Sequence, residues 1–209
     1  MAVSKTKAKL VDVARQLFAK MGVENTTMND IALASKKGRR TLYTYFKSKE
    51  DIYMAVVESE LDMLSDMMKR VAEKNISPDE KMIEMIYTRL DAVKEVVFRN
   101  GTLRANFFRD IWRVEKVRKR FDAKEILLFK DVLREGVEKG VFRIDDIDMT
   151  AELVHYCVKG IEVPYIRGHI GAKLDDETRD KYVVNLVFGA LHRTCLLYTS
   201  PSPRDYAAS

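Results

Sequence analysis

Only two cysteines, four prolines, nine glycines and one tryptophan occur in these 209 residues. Cys157 and Cys195 are too few for a disulfide framework, so a reducing cytoplasm fits. Cys157 lies in an apolar helical stretch and reads as a small core hydrophobe. No apolar run approaches the roughly 20 residues that a membrane helix needs. The opening MAVSKTKAKLVDVARQLF lacks the apolar core and cleavage site of a signal peptide, so export is not expected. There is no Gly-rich phosphate loop, no HExxH and no paired CxxC. His155, His169 and His192 lack metal-ligand spacing with one another, and His155 and Cys157 fall on different faces of one helix. Neither an enzymatic reaction, a cofactor nor a metal is expected, and no segment sustains the period-two pattern of a strand.

What is present is unevenly distributed charge. The formal net charge is +5, but residues 1–49 hold 11 Lys and Arg against 3 Asp and Glu, leaving 26 against 29 in the rest. A positive charge concentrated in one short segment is the electrostatic footprint of a nucleic-acid-binding module.

Helical periodicity fills the chain. Leu10, Val13, Ala14, Leu17 and Phe18 form one stripe over 5–21, and Gly22 follows where a left-handed helix end is wanted. Thr27 caps a second helix over 28–34, with Asp30 in its first turn. Gly38 opens a third over 39–46. Ser48 and Asp51 form a capping-box pattern for a long fourth, 49–74, with Ile52, Val56, Val57, Leu61, Leu64, Met67, Met68 and Val71 in period. Ser77-Pro78-Asp79-Glu80 starts a fifth, ended near 98 by Asn100-Gly101. Further helices are expected over 102–113, 115–139 up to Gly140, 149–167 with Pro164 as a possible kink, and 176–193. The expectation is an all-α chain of about nine helices.

Residues 26–49, TTMNDIALASKKGRRTLYTYFKSK, concentrate the chemistry. Ile31, Ala32, Ala34, Leu42 and Phe46 supply the small and apolar positions that pack two short helices. Arg39, Arg40, Thr41, Tyr43, Thr44 and Tyr45 crowd one element with side chains able to reach bases or phosphates. That is what a helix-turn-helix needs to lay its second helix in a major groove. Lys36, Lys37 and Lys47 add charge on either side. Thr27 and Lys49 sit at helix N-termini, where backbone N–H groups favour phosphate.

The pattern IA-x-A-x(6)-TLYTYFKSKE closely resembles the N-terminal domain of TetR-family transcriptional regulators, in detail over about the first 60 residues. The resemblance implies a DNA-binding domain over 1–49 and a helical effector-binding and dimerisation domain over 50–194. It implies a homodimer joined through 149–167 and 176–193, a palindromic double-stranded DNA operator and a small-molecule effector. Arg39 and Arg40 are the candidates for bidentate contact to guanine. Tyr43 and Tyr45 would use their hydroxyls on phosphate or base edges, while Leu42 and Phe46 face inward. One departure stands out: Lys36-Lys37-Gly38 occupies the place of a Gly-Val-Ser type of turn common in the family. Tyr87, Phe107, Phe108, Trp112 and Tyr156 would line an effector cavity, with Arg104 or His155 as polar handles. The competing reading of those aromatics is plain core. The leading function is a ligand-responsive homodimeric repressor, and the alternative is a regulator whose C-terminal domain binds a partner protein. Residues 195–205, CLLYTSPSPRD, break the texture of the chain. They resemble the translation of a sequencing adapter, and the bland reading of 195–209 is a disordered tail.

Overall fold

The computed structural model describes residues 5–99 and 111–170, with single positions between 173 and 185. Seven helices run through them in order: α1 Lys5–Met21, α2 Met28–Ala34, α3 Arg39–Tyr45, α4 Lys49–Ala72, α5 Pro78–Arg99, α6 Ile111–Glu138 and α7 Ile147–Ile166. No strand occurs among the described residues. The expected total of nine helices is not matched. Residues 102–110 of the expected sixth helix lie outside the described residues. Its last part is the beginning of α6, which continues without the interruption expected near 114 because no Gly or Pro there stops it. Of the ninth, Thr178, Lys181, Tyr182 and Asn185 are helical and most of the rest is outside the description. The tail at 195–209 is outside it as well.

Local signals explain the boundaries. Gly22 ends α1 with φ +86°, a conformation that costs a glycine little. Thr27 and Asp30 form a reciprocal capping box at α2, and Ser48 and Asp51 form another at α4. At α7 the cap is Asp146, whose side chain accepts from the Met149 backbone N–H at 2.9 Å, so the helix starts two residues before the expected 149. Gly136, inside α6, serves packing: a Cβ there would fall 2.0 Å from an atom of the Phe142 ring.

Two apolar clusters share α4. The first joins Leu10, Val11, Ala14 and Phe18 of α1 with Ile31, Ala32, Leu42, Phe46 and the α4 residues Ile52, Tyr53, Val56 and Val57. It therefore crosses the expected boundary at 49. Phe18 and Tyr53 meet edge to face with centroids 6.3 Å apart. The second cluster takes Leu64, Met68 and Val71 from the far half of α4, with side chains of α5, α6 and α7. Leu61 packs against both clusters.

Three expected core assignments are corrected. Ala34 is exposed, because the last turn of α2 presents Ser35 inward instead; the Ser35 hydroxyl donates to the Ala32 carbonyl at 3.0 Å. Met67 is 37% exposed, on the solvent edge of α4. Cys157 is exposed, since Val154 and Val158 take the inward positions on that turn of α7.

Candidate nucleic-acid interface

The short helix α3 is held from beneath by two side chains. Leu42 is fully buried and Phe46 nearly so. Each such burial is worth roughly 1.5–3 kcal/mol, ample to dock a helix of two turns that would not persist alone. With those positions turned inward, the period of the helix places Arg39, Arg40, Tyr43, Thr44 and Tyr45 outward, and all five are exposed. Thr41 is half-buried at the edge. Tyr43 is 44% exposed. The Thr44 hydroxyl donates back to the Arg40 carbonyl at 2.9 Å, which leaves its oxygen as an acceptor toward a ligand.

The turn before α3 is set by α2. Lys36 N–H donates to the Leu33 carbonyl at 3.0 Å and Lys37 N–H to the Ala32 carbonyl at 3.1 Å. These are the two bonds of a Schellman helix end, and Lys36 occupies its left-handed position with φ +55°. Lysine thus stands where the conformation favours glycine. Its side chain is exposed, while Lys37 is half-buried, as an aliphatic stem over apolar surface would be. Gly38 follows as the N-cap of α3 with extended backbone and no side-chain cap.

Thr27 and Lys49 have internal partners. The Thr27 hydroxyl and backbone N–H both donate to Asp30, at 2.6 and 2.9 Å. These bonds, the side-chain one first, hold the Asp30 carboxyl below its usual value. Lys49 Nζ donates to the carbonyls of Val23 and Glu24 at 2.7 and 3.1 Å. The Lys49 ammonium thereby closes the loop after α1. A lysine beginning one helix gives no sign in sequence that it reaches back 26 positions. Lys47 is exposed, and its backbone N–H donates to Asp51 at 2.9 Å.

Among the described residues, charged side chains meet in the interior among α5, α6 and α7. Arg89 is buried and pairs through Nε with Glu125 at 2.5 Å and through Nη2 with Glu162 at 3.1 Å. Arg118 reaches the same Glu162 at 3.1 Å. His155 is fully buried against Glu125, whereas Tyr156 is 60% exposed. Neighbours on a helix point about 100° apart, so these two do not face one cavity. Tyr87 is half-buried against the second cluster. Arg104, Phe107 and Phe108 lie outside the described residues, and Trp112 is described only as part of the α6 backbone. Sequence reasoning missed Arg89, Glu125 and Glu162. Their one signal is a charged residue inside an otherwise apolar helical stripe.

The sequence model described as "Bacterial regulatory proteins, tetR family" matches residues 10–56, which are α1 to the first turns of α4. The repressor KstR2 of Mycolicibacterium smegmatis is 28% identical over 152 residues, covering 70% of this chain and 72% of that protein. The regulator QacR of Staphylococcus aureus is 23% identical over 158 residues, covering 74% and 83%. The crystal structure of a transcriptional regulator from Cytophaga hutchinsonii superposes with a TM-score of 0.73 at 21% identity, covering 91% of this chain and all of that one. Its likeness extends the shared fold beyond the matched segment. Residues 10–56 thus match the tetR family of bacterial regulatory proteins in sequence and in helix-turn-helix geometry, and beyond them the chain is similar in fold to a solved transcriptional regulator.

Proposed function

We propose that this chain is a transcriptional repressor that binds a palindromic DNA operator as a homodimer and is released by a small-molecule effector. The observation that carries the DNA reading is α3 itself. Leu42 and Phe46 anchor it to the first cluster while Arg39, Arg40, Tyr43, Thr44 and Tyr45 stay exposed on a segment of strong positive charge. A helix of seven residues is only about 10 Å long and spans few base pairs. Two copies related by a two-fold axis supply the affinity and read half-sites about one helical turn apart.

The exposed face of α7 supports pairing of two copies. Met149, Leu153 and Tyr156 are 55%, 57% and 60% exposed at helical spacing, and the exposed Gly160 continues the line. Such a stripe on a helix is the pattern of an association surface. Release follows from α4, whose two halves belong to the two clusters. An effector that repacks α4 against α5 and α6 tilts the helix that α1 and α3 rest on. Arg15 of α1 pairs with Glu60 of α4 at 3.4 Å, so α1 follows α4. Selection of duplexes from a random DNA library by the full-length protein tests this. Enrichment of an inverted repeat supports it, and recovery of no common sequence refutes it.

A further inference from the structure

His155 of α7 is fully buried, and its Nδ1 lies 2.6 Å from Glu125 Oε2 of α6. A carboxylate only accepts, so in the neutral imidazole Nδ1 carries the proton and Nε2 presents a lone pair. That Nε2 is buried with no hydrogen-bond partner. It faces Asp122 Oδ1, 3.8 Å away, which is likewise buried and without a hydrogen bond. Two buried acceptors turned toward each other are unfavourable unless positive charge lies between them. Donor atoms of Asp122, Glu125 and His155, one from each, all lie within 4.8 Å of one another.

We propose that His155 Nε2 and Asp122 Oδ1 bind a divalent transition-metal ion, with Glu125 positioning the imidazole through Nδ1. An imidazole nitrogen beside a carboxylate suits zinc and its first-row neighbours. A ligating histidine that donates its other N–H to a carboxylate is a recurrent metal-site arrangement, and the carboxylate raises the basicity of the ligand. Bond lengths near 2.0–2.2 Å would bring the two donors to about 3–3.5 Å apart, a small contraction from 3.8 Å. Water fills the remaining positions.

The local charges set the competition. Asp122, Glu125 and Glu162 are balanced by Arg89, Arg118 and Lys159. Lys159 holds the other oxygen of Asp122 at 2.5 Å, and its side chain is 26% exposed. It is the one of the three cations on α7 itself, and it can swing to solvent when a dication arrives. The ion would then bridge α6 and α7.

The test is titration of the chelator-treated, full-length chain with Co2+ alone, followed by its visible absorption and by calorimetry. The expected result is one ion per chain, with affinity reduced about tenfold or more in Asp122→Asn and increased in Lys159→Met. His155→Gln should abolish the signal, but it alters a fully buried side chain. Asp122→Asn, at a partly exposed position and checked for native helicity, carries the test if that variant fails to fold. No binding by the unaltered chain overturns the proposal. So does binding that neither Asp122→Asn nor Lys159→Met changes, which would mark an unrelated surface site. The readout is metal binding itself and stands apart from DNA recognition.

Discussion

Lys49 Nζ donates to the Val23 carbonyl at 2.7 Å, tying the first turn of α4 to the loop between α1 and α2. The bond adds a polar tie to the apolar cluster that packs α1, α2 and α3 on α4, and it gives Lys49 a structural role. Lys49→Met is expected to lower stability by about 1 kcal/mol, because a charge-assisted, part-buried bond to the Val23 carbonyl is lost. Its effect on DNA affinity should be equal across operator variants. Chemical denaturation checks the first expectation, and an unchanged midpoint would show that the bond contributes nothing.

Lys36 shows the opposite trade. At φ +55° it carries the cost of a left-handed conformation, and Lys36→Gly should stabilise the fold by about 1 kcal/mol. The same change removes a positive charge beside α3, so affinity for any duplex should fall. Thermal unfolding and DNA titration of one variant separate the effects. A variant neither more stable nor weaker in binding would contradict both assignments.

Acid should loosen the helix-turn-helix through the capping box. The Asp30 carboxyl is held below its ordinary value of 3.8 by the Thr27 side chain and backbone. A lowered carboxylate stabilises the fold above its unfolded value, and that contribution disappears as pH falls from there through the folded value. Glu135, lowered by Lys139 first and then by Lys81, acts in the same direction from 4.5 downward. Asp30→Asn should therefore be less stable at neutral pH and lose less on acidification. Unfolding curves that stay parallel for the two proteins between pH 6 and about pH 3 would count against the box.

The α7 stripe makes a simple prediction about assembly. Leu153→Glu places a charge in the middle of the exposed apolar line and should shift the protein toward monomer, with operator binding weakened in step. Sedimentation at several concentrations reports the association state. An unchanged dimer, or an unaltered chain that is already monomeric, would remove α7 from the interface.

Much of the N-terminal part was legible from sequence because its signals are local. Thr27 with Asp30, Ser48 with Asp51, and Gly22 each act within four residues, and the structure reproduces all three helix boundaries. The stripe of α1 was legible for a similar reason: a helical period marks the inward face without knowledge of what covers it. The assignments that failed depend on distant partners. Cys157 and Tyr156 look like core residues on an apolar helix until α5 and α6 are in place to show which face is covered. The sequence reading divides the continuous α6 near 114, although neither Gly nor Pro stands there to break a helix. The Arg89–Glu125–Glu162 cluster joins three helices, so no window of sequence contains it.

The central claim is that the positive N-terminal segment binds DNA phosphates and that α3 supplies the reading head. Operator affinity measured across a salt series tests it most directly. Each neutralised phosphate contributes a slope of about −0.9 in log affinity against log salt, so a steep decline is predicted. If the exposed Lys47 contacts a phosphate as proposed, removing its charge should reduce that slope by about one, while Arg40→Ala should relax specificity at one position per half-site. Affinity that does not change with salt, or a slope and specificity left intact by both substitutions, would contradict the account.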